Sequence, residues 1–173
     1  VDSAEVIHGL FLFFFKLDST VMASLYMDDQ NIMPLVMEKG KIQIKIDNTC
    51  ITATGTPLNN KLYEFVARKN ALDDRAYEIE RMESRMIMDG KPFSEVEQEI
   101  AKERANLSDE FDKLVKEFVQ NNYENVLGPA IFQMMSNGYT SPKITPPLEQ
   151  ILKEAPESFR SHMMVRSLVD ASR

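Results

Sequence analysis

Up to Thr54, apolar and polar positions alternate with a period of two. Beyond Thr56 they recur every three or four residues. The clearest alternation is Ile42, Ile44 and Ile46 against Gln43, Lys45 and Asp47. A strand with one wet face writes itself this way, because successive side chains point to opposite faces. Similar runs at Glu5 to Phe15, Val21 to Met27, Ile32 to Met37 and Cys50 to Thr54 predict four more strands. Between them lie turn signals: Leu17-Asp18-Ser19, Asp28 to Asn31, Glu38-Lys39-Gly40 and Asp47-Asn48. Pro34 lacks a ladder donor, which suits an edge or a bulge. Five short strands without intervening helices predict an antiparallel meander, one layer of a small sandwich or a sheet with one covered face.

The later pattern is helical. Leu58, Leu62, Phe65, Leu72, Ala76, Ile79 and Met86 form one apolar stripe, which predicts a single helix over Pro57 to Met88. Asp89-Gly90-Lys91-Pro92 stops it, and Ser94-x-x-Glu97 has the form of a capping box. A second stripe, Val96, Ile100, Leu107, Phe111, Leu114 and Phe118, carries a helix to about Asn121. The two make an antiparallel hairpin over residues 57–121, with arms on the order of 40 Å long at ~1.5 Å per residue. So long a hairpin is expected to project from a small sheet or to pack on another chain. Helices follow at Asn125 to Asn137, capped by Gly138, then at Leu148 to Lys153 and at Glu157 to Val169. Ser141 to Pro147 is a proline-rich connector. The predicted class is α+β, with a β unit over 1–55 and a helical region over 56–173 whose C-terminal helices span 125–170.

Composition narrows the function. The chain has 173 residues, 43% hydrophobic and 27% charged, enough for one domain with a real core or a small domain with a large appendage. Net charge is −7, and no basic cluster marks a nucleic-acid face. The longest apolar run, Leu10 to Phe15, is far short of the ~20 residues that span a bilayer, so no transmembrane segment is expected. A strand pattern begins almost at Val1, so an upstream segment is expected. The lone cysteine, Cys50, sits in a strand-like run and reads as a small buried hydrophobe.

Three candidate chemistries fare poorly. Ile51 to Phe65, ITATGTPLNNKLYEF, places Gly55, Thr56, Pro57 and Lys61 between a strand and a helix. A phosphate loop needs a second glycine before its lysine and a Ser or Thr after it. Here Asn60 and Leu62 stand there, and Pro57 removes a donor. The stretch is instead a hinge, with Thr56 as N-cap and Pro57 in the first helical position. His8 and His162 lie at opposite ends without ligand-like spacing, so neither a metal nor a cofactor is expected. No G-x-S-x-G elbow marks a nucleophile. Acidic positions such as Glu78, Glu80, Glu83, Glu95, Glu97, Glu99 and Glu103 read as solvated helix faces. Methionine is frequent, at 11 residues, and mostly suits core filling. Met82, Met86 and Met88 near the hairpin tip are the candidate partner-binding residues, because a tip has little core to fill.

An ordered set of short segments adds to this reading. It comprises D-S-A-x-V at Asp2 to Val6, H-G-L-F-x-F at His8 to Phe13 and P-L-V-M-E-K-G-K-I at Pro34 to Ile42. T-G-T-P-L-N-N-x-L-x-x-F follows at Thr54 to Phe65, then F-V-Q-N-N-Y-E-N-V-L-G at Phe118 to Gly128 and A-P-E-S-F at Ala155 to Phe159. The chain resembles, over nearly its whole length, the N-terminal domain of unknown function that precedes a thioredoxin-like domain in cell-envelope thiol–disulfide interchange proteins of gut bacteria. The resemblance implies a periplasmic or envelope location, a lipid anchor upstream and a redox domain with its CxxC downstream. It carries no catalytic residue onto this chain. The expected function is a non-catalytic accessory domain that positions a redox domain, binds its client or dimerises. A protein partner or self-association is implied. The alternative is a stand-alone adaptor that uses the hairpin tip, and a third reading is an enzyme whose site is not visible in sequence.

Overall fold

The computed structural model describes residues 3–47, 50–136 and 143–172. Among the described residues, four strands lead into six helices. The strands are β1 (Val21–Met27), β2 (Gln30–Met37), β3 (Gln43–Ile46) and β4 (Ile51–Thr54). The helices are α1 (Pro57–Met88), α2 (Phe93–Gln120), α3 (Leu127–Ser136), α4 (Pro146–Glu154), α5 (Glu157–Arg160) and α6 (Met163–Ala171). The α+β order and the bounds of α1 match the sequence reading.

The sheet differs from the expected meander. β1 pairs with β2, and β3 pairs with β4, as two separate antiparallel ribbons. Asp28 and Asp29, both at positive φ, make the tight turn between β1 and β2. The register slips between Leu25 and Tyr26, a bulge next to Pro34. The expected first strand is also interrupted. His8 (φ 51°) and Gly9 (φ 78°) form a tight turn, and Ile7 and Leu10 exchange both backbone hydrogen bonds across it. Glycine at the second turn position supplies the required conformation, so Glu5 to Phe15 folds back on itself instead of running straight.

A side chain closes the free edge of β2. The Asn59 amide accepts from Val36 N (2.9 Å) and donates to the Val36 carbonyl (2.7 Å), as a neighbouring strand would. Its nitrogen also donates to Thr56 Oγ1 at 2.9 Å. Asn59 is fully buried, and all of this happens in the first turn of α1. Thr56 is the N-cap residue, as expected, yet its hydroxyl does not cap. Glu38 does so instead, its Oε1 accepting from Leu58 N (2.8 Å) and Asn59 N (3.1 Å). A carboxylate is well placed at this positive helix end. Gly55 is required at the bend: its φ is +95°, and a Cβ there would lie 2.5 Å from the Lys41 carbonyl oxygen.

The main core forms where the ribbons, the base of the α1–α2 hairpin and the C-terminal helices meet. Val36, Leu62, Val119, Leu127, Phe132 and Phe159 are among its most buried members. Phe65 and Phe118 clasp α1 to α2 with ring centroids 4.5 Å apart. Asn122 is buried at the end of α2, donating to the Phe118 carbonyl and accepting from Asn125 Nδ2. Gly128 lets α3 pass close by, since a Cβ there would meet the Asn122 carbonyl oxygen at 2.4 Å.

Two smaller expectations change, and a third goes untested. The Ser94 capping box is not used: Pro92 is the N-cap of α2, and its carbonyl accepts from Glu95 N and Val96 N. The expected helix over Glu157 to Val169 is two helices, because His162 caps α6 through Nδ1, which accepts from Met164 N. Gly138, the expected cap of α3, lies outside the described residues.

The Asn59 clasp predicts a large local effect. Asn59→Ala leaves both polar groups of Val36 without their partner in the core, which is expected to destabilise by about 3 kcal/mol. Glu38→Gln keeps a neutral acceptor and is expected to lose less than about 1 kcal/mol. Urea unfolding of the two variants against the parent checks the ranking.

Candidate functional site

The α1–α2 hairpin has two cores. At its base, Leu62, Phe65, Leu114, Val115 and Val119 belong to the main core. Farther out, Ile79, Met86, Val96 and Ile100 form a second cluster, with Met82 and Leu107 packed on it. Every member of that cluster comes from α1 or α2, so the outer hairpin packs on itself. From Leu72, the last α1 residue packed on the main core, to Met88 the helix rises about 24 Å. Exposed ion pairs run across this arm, Arg75 with Glu110 and Arg104 with Glu83. Each contributes on the order of 0.2–1 kcal/mol.

The three methionines proposed from sequence separate in the structure. Met86 is buried in the outer cluster, and Met82 is half-buried against it. Both are therefore committed largely to holding the helices together. Met88, two residues beyond Met86, is turned by about 200° around the helix. It is 86% exposed. Ile87 and Phe93 on either side of the turn are also exposed, at 54% and 75%. They escaped the sequence reading because both fall off the apolar stripes. An apolar residue off the stripe next to a Gly-Lys-Pro turn is the signal that marks them.

The turn that carries them is rigidly specified. Gly90 (φ 75°) follows the α1 C-cap, Asp89. Gly90 N donates to the Ile87 carbonyl and Lys91 N to the Met86 carbonyl. These two bonds are the Schellman pattern that ends a helix on glycine. Lys91 Nζ lies 3.0 Å from Glu95 Oε1. The Glu95 hydrogen bond, with the fields of Glu95, Glu99 and Asp89 added, holds the Lys91 ammonium above the ordinary lysine range.

A second uncovered apolar surface lies at the N-terminus. The shared bonds of Ile7 and Leu10 put them on one face, and strand alternation adds Leu12 and Phe14. All four are exposed, Phe14 by 83%. On the opposite face Phe11, Phe13 and Phe15 lie in a row with centroids 5.7–5.8 Å apart.

The remaining candidates have structural partners. Glu38 occupies the anion-binding end of α1, where a phosphate loop would hold its ligand. Cys50, expected to be buried within a strand, stands just before β4 and is half-buried. It lines a cavity of about 330 Å³ with Ile32, Met33, Pro34, Tyr63 and Val66 among its walls. The Tyr63 hydroxyl donates to the Pro34 carbonyl at 2.9 Å, and burial pushes its pKa up to about 12. His162 is the α6 cap, and His8 is a turn residue. Among the described residues no group of His, Cys, Asp and Glu side chains is arranged to hold a metal ion. Among them, too, no helix is long and apolar enough to cross a membrane.

Two measurements follow. Met86→Gln puts an amide into the outer cluster and is expected to cost about 2 kcal/mol or to melt the arm locally, whereas Met88→Gln stays within about 0.5 kcal/mol of the parent. Thermal unfolding with hydrogen exchange of the arm separates them. Tyr63 is protonated in the fold to a pH near its raised pKa of about 12. In the unfolded chain a tyrosine ionises near 10. Its contribution is complete below pH 10 and is lost as pH rises toward 12. Tyr63→Phe is expected to flatten that part of the stability–pH curve.

A family model described as a domain of unknown function (DUF4369) matches residues 1–62. No curated protein and no solved structure matches the chain. The matched region takes in the two ribbons and the first turns of α1, with Gly55, Thr56 and Asn59 inside it, and the projecting arm lies outside it. What the chain is similar to is thus a domain without an assigned activity, over its β unit.

Proposed function

We infer that this chain is a non-catalytic accessory domain of a cell-envelope thiol–disulfide interchange protein, and that it works by binding another protein through its helical arm. The observation that carries this reading is the arm itself. Its outer half builds a private core and leaves Ile87, Met88 and Phe93 outside it and exposed. Apolar side chains held out on a rigid element are the usual anchors of protein recognition. Polar groups around the hinge have structural work: Glu38 caps α1, Tyr63 braces β2, and Asn59 closes the edge of that strand. The placement in a redox protein of the envelope rests on the segments quoted from Asp2 to Phe159. The match over residues 1–62 to a domain of unknown function is compatible with it.

A stand-alone adaptor is the second reading, and the same exposed tip favours it. The two separate on the mass of the native protein isolated from its source cells, with a peptide map. The accessory reading expects at least one further domain of roughly 100 residues carrying a CxxC peptide after Arg173. A native protein that ends near Arg173 would overturn it and leave the adaptor.

A further inference from the structure

The geometry points to the kind of partner the arm takes: an amphipathic protein surface, such as one face of a helix, that is apolar at its centre and basic at its edge. This rests on the reading of the arm as a binding element and adds the chemistry of what it binds. The apolar part is Ile87, Met88 and Phe93, which face solvent on both sides of a turn fixed by two backbone hydrogen bonds. A fixed presentation lowers the ordering entropy of binding. The charged part is the collar around them. Asp89, Glu95, Glu97 and Glu99 stand against Arg85 and Lys91, so acid outweighs base. Lys91 is bonded to Glu95 and sits in the field of Glu99 and Asp89.

Helix stability accounts for only part of this collar. Glu95 lies in the first turn of α2, where a carboxylate suits the positive helix end. Asp89 is the C-cap of α1, at the negative end of that helix, where a carboxylate is unfavourable by about 0.3–1 kcal/mol. Glu97 and Glu99 point to solvent on α2. An acidic residue kept where it weakens its own helix, beside apolar residues kept in water, fits recognition better than folding. The complement of such a tip is apolar at its centre and cationic at its edge. A membrane surface suits it less, because anionic headgroups repel the same collar.

The test uses the full chain and two synthetic amphipathic peptides of roughly 20 residues with identical leucine stripes, one flanked by lysines and one by glutamates. Titration by calorimetry is expected to show binding of the lysine-flanked peptide and at least about tenfold weaker binding of the glutamate-flanked one. Met88→Ser with Phe93→Ser is expected to weaken the first by about tenfold or more, with an unchanged urea midpoint because neither residue is in a core. Asp89→Asn with Glu97→Gln and Glu99→Gln is expected to reduce the salt dependence. Binding that survives the Ser substitutions would be general attraction to an acidic chain and would overturn the proposal. So would no binding, equal binding of both peptides, or stronger binding through Met88 and Phe93 to neutral phosphatidylcholine vesicles. The accessory reading is decided separately by the native mass, so failure of the peptide titration leaves that result standing.

Discussion

One amide side chain, that of Asn59, ties the edge of β2 to the start of α1. Asn59 sits in the first turn of α1 and bonds both polar groups of Val36, a fully buried residue of β2. Among the described residues β2 pairs only with β1, so no strand meets Val36 on that edge. Without Asn59 its N–H and C=O would be buried and unmet, which a folded chain rarely tolerates. The clasp therefore fixes where α1 begins and which side of it faces the ribbons. Glu38, just after β2, and Thr56, in the hinge, complete it. The direction of the whole arm follows from these few bonds, since a helix continues in the direction of its first turn.

Much of this was legible in the sequence, and the exceptions have physical causes. Helix α1 was readable to the residue because its stripe is long and both ends carry stop chemistry: Thr56-Pro57 at one end and Asp89-Gly90 at the other. The wet strand β3 was readable because Ile44 and Ile46 alternate cleanly with Gln43 and Lys45. The break at His8-Gly9 was missed because apolar residues stand on both sides of it, Val6-Ile7 before and Leu10 to Phe15 after, so the strand pattern reads on while the backbone reverses. The division into two ribbons was hidden because Asn59 replaces a strand with a side chain, and no periodicity encodes that. The T-G-T-P-L-N segment carried the information, but as hydrogen-bond chemistry. At the tip the sequence reading took Met82, Met86 and Met88 as partner-binding because a tip has little core to fill, but Met82 and Met86 pack the outer core and Met88 alone of the three stands in solvent. The same reading missed Ile87 and Phe93, which stand outside every stripe.

The functional reading follows from this division of labour. The base of the molecule uses its polar residues to build itself. The arm has a core of its own, which is small. A helix pair held by four buried side chains and a few exposed ion pairs opens more easily than the body beneath it. Such an element can present an apolar tip in a defined direction and still adjust to what it meets. The tip is specified by backbone hydrogen bonds in a glycine turn, so its shape does not depend on the exposed residues it carries. In the proposed function, recognition and folding fall to different residues.

Residue-resolved hydrogen exchange of the native protein reads the division between body and arm in one experiment. The Val36 amide, donated to Asn59, is expected among the slowest in the molecule, with Leu62 and Val119 close to it. Amides of the outer arm, from Ile79 through Ile100, are expected to exchange sooner and together, as one unit with its own smaller opening free energy. Exchange of Val36 at the rate of a surface turn, or an outer arm protected as fully as the body, would contradict it.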